Sequence, residues 1–237
     1  MRVAIIAEGA SDAGVITNIL KGKLDIDRSD IKYLVPDLDN DETDLQQLDP
    51  KKFSNWTIVK ANCENPKVIA NFIEPFENQC FVVIHIDSEE RHLAGYEVLN
   101  PKTITDDASV ATLRANIIQK MKAWLNYQFL EQIVFAIAIQ ETDAWVLTLY
   151  GNAKTDFLPK SKERLWKEIN RSASAKEKNK IAALNNDKRA QYLFLSHDFR
   201  KWKILNKILE NNKSLALFCA DLERYKEIDS NDLTETS

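Results

Sequence analysis

Glycine is scarce in this chain, at 5 of 237 residues, against a usual share of about 7%. Neither a G-x-G-x-x-G turn nor a G-x-x-x-x-G-K-[S/T] loop occurs. Both need glycines where backbone approaches phosphate, so a standard dinucleotide-binding turn and a P-loop are excluded. No run of about 18 apolar residues is present, and no membrane-spanning helix or membrane partner is expected. The opening MRVAIIAEGASD turns acidic too soon for a secretory signal. Cysteine is limited to Cys63, Cys80 and Cys219, odd in number and far apart. That pattern fits reduced thiols in a cytoplasmic protein, not a disulfide frame or a zinc site. Histidine is limited to His85, His92 and His197, with no zinc spacing, and no G-x-S-x-G elbow supports a serine hydrolase.

Hydrophobic residues make up 44% of the chain and charged residues 29%. That is enough for a buried core, and the length suits one large α/β domain or a core with a helical extension. Charge is unevenly placed. Residues 1–149 hold 14 bases and 23 acids, residues 150–226 hold 18 bases and 9 acids, and residues 227–237 hold 4 acids and no base. An acidic first part beside a basic second part can divide the work between holding cations and holding phosphates. Solvated helix faces give the same lysine pattern.

The apolar runs RVAIIA (2–7), IKYLV (31–35), FVVIHI (81–86) and IVFAIAI (133–139) read as strands, the last two buried on both faces. WTIVKA (56–61) reads as a further strand. Helices are expected over about 12–22, 66–77, 108–126 and from 141 to 150, the second opening on Pro66. DLDNDETDLQQLD (37–49) carries six acids and reads as a surface loop. From 160 to 226 no strand-like run occurs, and helices are expected near 160–171, 175–185, 198–211 and 213–226. Strands alternating with helices predict an α/β fold with a mostly parallel central sheet flanked by helices. The expected division is a metal-binding core over 1–150, a basic helical extension over 151–228 packed on it, and a tail over 229–237.

Acids follow three of the predicted strands. Glu8 follows the first, Asp87 and Glu89 follow FVVIHI, and Glu141 and Asp143 follow IVFAIAI. Ligand sites in open parallel sheets form beyond the carboxyl ends of the strands. Carboxylates gathered there repel one another and raise their own pKa values, and a divalent cation relieves that cost. Mg²⁺, with Mn²⁺ as its substitute, suits such oxygen donors. Acids at these places can also cap the following helix, as Asp12 and Asp143 could. His85, two residues before Asp87, is either a core histidine or a group that orients a metal ligand.

AIIAEGASD resembles the first motif of Toprim domains, a hydrophobic strand followed by Glu-Gly. FVVIHIDSEE resembles their second, a strand ending in D-x-D, with Glu89 in place of the second Asp. IAIQETDAWVLTLYG resembles a third motif, Glu-x-Glu-Ala-Trp, of a narrower group of bacterial Toprim-like proteins related to overcoming-lysogenization-defect nucleases, with Asp143 for the second Glu. NKSLALFCADLERY resembles that group's C-terminal Ser-Phe-x-x-Phe helix, with Leu215 for the first Phe. The resemblance implies Mg²⁺-dependent phosphoryl transfer, most plainly a nuclease acting on DNA or RNA, within defence or nucleic-acid processing. Asp87 and Glu89 would hold one Mg²⁺, Glu8 would serve as ligand or general acid/base, and Glu141 and Asp143 would complete a second position. A regulatory or binding module without catalysis, and an enzyme of small phosphorylated molecules, are the alternatives. A homo-oligomer or a defence-system partner protein is a further expectation.

The basic second part supplies candidates for phosphate contact: Lys160 and Arg164 in one stretch, Arg200 and Lys201 in QYLFLSHDFRKWK (191–203). There Tyr192, Phe194, Phe199 and Trp202 are interleaved with the cations. Aromatics can stack on bases while cations meet phosphates. A helical core stripe with a wet face has the same composition.

Overall fold

The computed structural model describes residues 1–36, 55–76, 79–151 and 153–226. The expected acidic loop 37–49 and the tail after 228 lie outside them. Four strands, β1 (Arg2–Ile6), β2 (Ile31–Val35), β3 (Cys80–Asp87) and β4 (Ile133–Ala138), form one sheet in the order β2-β1-β3-β4. Every pairing is parallel. Between them run α1 (Ala10–Leu24), α2 (Asn55–Glu64), α3 (Lys67–Ile73) and α4 (Asp107–Trp124), and after β4 comes α5 (Thr142–Leu147). The chain then continues in α6 (Ser161–Ser172), α7 (Ala175–Ala183), α8 (Lys188–Leu195), α9 (Trp202–Ile208) and α10 (Lys213–Asp221). The fold is α/β, a parallel sheet flanked by helices.

Alternate residues of each strand divide between two cores. Val3, Ile5, Phe81, Val83, Val134 and Ala136 face α1 and the helices from α5 to α10. Ala4, Ile6, Val82, Ile84, Ile133 and Phe135 face α2, α3 and α4. Burial on both sides explains why β3 and β4 are apolar throughout. Among the described residues β4 is an edge strand, and two of its outward carbonyls are covered by arginines: Arg114 donates to Phe135 O at 2.9 Å and Arg224 to Ile133 O at 2.6 Å. Such capping removes the free ladder that an edge otherwise offers to another chain. Arg114 also meets the Asp221 carboxylate at 2.5 Å, which ties α4 to α10.

Residues 56–61, expected as a strand, lie within α2. Trp56, Val59 and Cys63 are buried at helical spacing, and the Trp56 ring lies against Tyr96 and Trp124 at centroid distances of 5.5 and 6.2 Å. Lys60 pairs with Glu64 one turn on. A window of six residues hides that period; ten show it. The helix expected over 198–211 is broken into a 3-10 turn (His197–Arg200), α9 and a second turn (Leu209–Asn211), and α8 precedes it. The first turn presses on α1 at Gly22, where a Cβ would stand 1.9 Å from the Phe199 carbonyl oxygen. Among the described residues no helix is long and apolar enough to cross a membrane.

Candidate active site

The chain leaves β1 for β2 on one side, then returns past β1 to β3 on the other. The sheet order therefore reverses between β1 and β3, and ligands favour the crevice beyond the strand ends at such a point. Ile6 is paired with Ile84 and Asp87 with Ala138, so the residues after β1, β3 and β4 share one edge. Glu8 and Asp87 meet there: the Asp87 N–H donates to Glu8 Oε1 at 2.6 Å. Asp87 Oδ1 accepts the Glu89 N–H at 2.9 Å, and the Tyr96 hydroxyl holds the Asp87 carbonyl at 2.7 Å. Gly9 caps α1 in an extended conformation, with φ −152°. Its lack of a side chain serves packing: a Cβ would stand 3.2 Å from the Asp12 carboxylate.

Asp12, read from the sequence only as a helix cap, belongs to this edge. Burial raises its pKa to about 6, opposed by a hydrogen bond from Thr142 and by the charge of Lys162. Glu8 is raised well above the usual carboxylate range by burial and then by the charge of Asp87. Asp87 is raised likewise by burial, with Asp12, Glu89 and Glu141 adding repulsion. Glu89 is exposed and raised less, by desolvation and then by Glu141 and Glu90. Asp143 is raised to about 6 by burial, although its Oδ1 accepts the Tyr192 hydroxyl at 2.6 Å. Glu141 caps α5, and its Oε2 accepts the Lys162 N–H at 3.2 Å. Among the described residues none of these six carboxylates forms an ion pair with a lysine or arginine. The edge is a set of acids opposing one another without a contacting cation.

His85 lies beneath this edge, fully buried. Its Nε2 pairs with Thr142 Oγ1 at 2.9 Å while Nδ1 has no partner among the described residues. Burial lowers its pKa to about 3, so the ring is neutral. Thr142 thus joins His85 of β3 to Asp12 of α1, a link no spacing rule reveals. The two C-terminal sequence motifs also touch: Trp145 Nε1 donates to Ser214 Oγ at 2.8 Å, and its ring stacks on Phe218 at 5.6 Å.

The four basic candidates separate into two places. Lys160 and Arg164 flank the start of α6, where Lys162 meets Glu141. Lys160 is exposed and pairs with Glu163, and Arg164 is exposed and donates to Pro159 O at 2.8 Å. Arg200 binds Asn18 Oδ1 at 2.6 Å, and Lys201 pairs with Asp198 at 2.7 Å. Asn18 is six residues beyond Asp12, about 9 Å further along α1 at a rise of ~1.5 Å per residue. Of the interleaved aromatics, Tyr192 and Phe199 are core, and Trp202 is exposed with the Lys23 and Lys226 ammoniums over its ring at 4.6 and 4.5 Å.

Among the described residues no three His, Cys, Asp or Glu groups are drawn into a ready-made metal cage. The donor set nonetheless fits a hard dication. It consists of carboxylate oxygens held near one another with no lysine or arginine in ion-pair contact among the described residues, and Mg²⁺ commonly takes only one or two carboxylates, filling its shell with water and phosphate oxygens. Comparison of the chain with protein-family models, with curated proteins and with solved structures returned no match. The chemistry of this edge has to be read from its own side chains.

Proposed function

We propose that the chain is a Toprim-like, Mg²⁺-dependent phosphodiester-cleaving enzyme, a nuclease acting on DNA or RNA. The observation that carries this is the edge itself: acids from the ends of β1, β3 and β4 gather without a contacting cation beside the point where the sheet order reverses. Asp87 and Glu89 would hold Mg²⁺, with Glu8 beside them and Glu141 and Asp143 available to a second ion. Bound there, Mg²⁺ supplies neutralisation of the phosphoryl oxygens in an in-line displacement.

The protein's own groups do the rest. Glu8 Oε1 is committed to the Asp87 N–H, so Oε2 is the oxygen left to carry or pass a proton. The Tyr96 hydroxyl and the Glu89 N–H fix the Asp87 backbone and carboxylate, which keeps its free oxygen toward the edge. Lys160, Lys162 and Arg164 supply positive charge beside Glu141 for the substrate's phosphates.

The test is Mn²⁺ and Mg²⁺ titration by calorimetry together with cleavage of labelled DNA and RNA, for the wild type and Asp87→Ala. Binding and cleavage in the wild type, both lost in the variant, are expected. Unchanged turnover in Asp87→Ala removes the assignment. No bound metal and no cleavage would move the chain to the alternative, a Toprim-like regulatory or binding module.

A further inference from the structure

A cavity of about 700 Å³ adjoins the carboxylate edge, with Glu89 in its wall. That volume is within the range of small-molecule sites. Both of its sides are tied down. One is the loop after β3, clamped by Arg91, whose guanidinium donates to Val98 O at 2.7 Å and to Pro101 O at 2.9 Å. The Val98 N–H returns to Arg91 O at 2.9 Å. The other side is the segment around Phe157. It is anchored by the Thr155 N–H on Asn211 O at 2.9 Å, and by Lys154 crossing to Asp107 of α4 at 2.7 Å.

The lining is mixed. Leu99, Ile104 and Phe157 give apolar surface, and Leu99 is 57% exposed at the mouth. Lys102 brings a cation. Gln140 is held in the left-handed region, φ 70°, with its N–H on Ser88 Oγ at 2.9 Å. Its side-chain amide makes no hydrogen bond among the described residues, and Gln140 lines the cavity. Apolar side chains set beside the Gln140 amide, Lys102 and Arg91, with Glu89 in the wall, match a heteroaromatic ring that carries donors and acceptors on its rim.

We infer that this cavity receives an unstacked nucleobase of the substrate, so that the edge acts on single-stranded or terminal nucleotides in preference to intact duplex. The inference rests on the phosphodiester reading above, because a phosphorus placed beside Asp87 and Glu89 directs one of its two nucleosides to the Glu89 side. Inside a duplex that base is stacked and paired, and must be extruded before it can enter. A single strand or a free nucleotide offers the same ring without that cost.

The experiment is done in EDTA, with binding separated from cleavage. A labelled short oligothymidylate is titrated against the wild type, Leu99→Glu and Phe157→Ala, with unlabelled duplex and thymidine 5′-monophosphate as competitors. Leu99 is exposed, so its variant folds even if Phe157→Ala does not, and melting curves check both. The wild type should bind the single strand, Leu99→Glu should weaken binding about tenfold or more, and duplex should compete poorly. Competition by thymidine 5′-monophosphate at similar nucleotide concentration assigns the cavity to a free nucleotide. Competition by oligomer alone assigns it to a strand. Wild-type affinity in Leu99→Glu, or equal competition by duplex, overturns the inference. If these binding results hold but neither Mg²⁺ binding nor cleavage is found, the nuclease reading fails and the base site stands. If Mg²⁺-dependent cleavage is found and blunt duplex is cut as fast as single strand, the base site fails alone.

Discussion

Replacing Asp12 by asparagine should stabilise the metal-free protein at alkaline pH. The change keeps the shape of the side chain and an acceptor for Thr142, and removes only the charge. Burial moves the Asp12 pKa from 3.8 to about 6, and each unit corresponds to about 1.4 kcal/mol. Ionising this group in the folded state therefore costs about 3 kcal/mol. The folded pKa lies above the unfolded one, so the favourable linkage is complete below pH ~4 and is lost as pH rises through about 6. Asp12→Asn escapes that loss. At pH 8 it should exceed the wild type by up to about 3 kcal/mol, or roughly 6–12 °C in Tm at 2–4 °C per kcal/mol for a chain of this size. At pH 4 the two should coincide. The assay is thermal and urea unfolding in EDTA from pH 4 to 8.5, repeated with Mg²⁺, which should narrow the gap at pH 8 by neutralising the wild-type edge. A variant less stable than the wild type at pH 8, or a difference that ignores pH, would refute the idea that this carboxylate is ionised against the cost of its burial.

The sheet was legible because burial on both faces leaves an unmistakable residue pattern. FVVIHI and IVFAIAI are buried at every position; the first lies wholly within β3, and the second is β4 up to Ala138, with Ile139 just beyond it. The acids that end them were legible for a related reason, since a charge directly after such a run has to be at the strand's end. The strand expectation at α2 fails because Trp56, Thr57, Ile58 and Val59 are good strand formers taken singly, while burial of Trp56, Val59 and Cys63 at helical spacing, with Trp56 against Tyr96 and Trp124, favours the helix. Asp12 reads as a cap in the sequence because its membership of the edge depends on Gly9 leaving room for its carboxylate and on Thr142 arriving from beyond β4. The tie from His85 through Thr142 to Asp12 spans three elements and has no local signature. Composition alone marks the basic candidates, and it does not separate Lys160 and Arg164, near Glu141, from Arg200, which is engaged by Asn18 of α1, and Lys201, which pairs with Asp198.

That separation gives a second prediction. Charge reversal at Lys160 and Arg164 should weaken binding of a labelled oligonucleotide and flatten its salt dependence, whereas reversal at Lys201 should change neither; equal effects at both places would count against a phosphate path beside Glu141. Ser214→Ala should lower stability by about 1–3 kcal/mol in urea unfolding, because it leaves the buried Trp145 indole N–H without an acceptor; a neutral result would mean that another acceptor replaces it. The last prediction concerns His85. Its folded pKa of about 3 lies below the unfolded value of about 6.5, the opposite sense to the acids above it. Its contribution is therefore present above pH ~6.5 and is lost as pH falls toward 3, by on the order of 5 kcal/mol at the end of that range. The raised acids gain stability over much of the same interval, so the two partly cancel and the wild-type profile should be flat on its acid side. His85→Gln removes one of the opposing terms and keeps a polar group for Thr142. Its stability relative to the wild type should then climb steadily from pH 6.5 downward, on top of a constant packing penalty that is read at pH 8. Urea unfolding at half-unit pH intervals measures this directly, and a relative stability that stays level between pH 7 and pH 4 would mean that the ring takes up a proton in the folded protein after all.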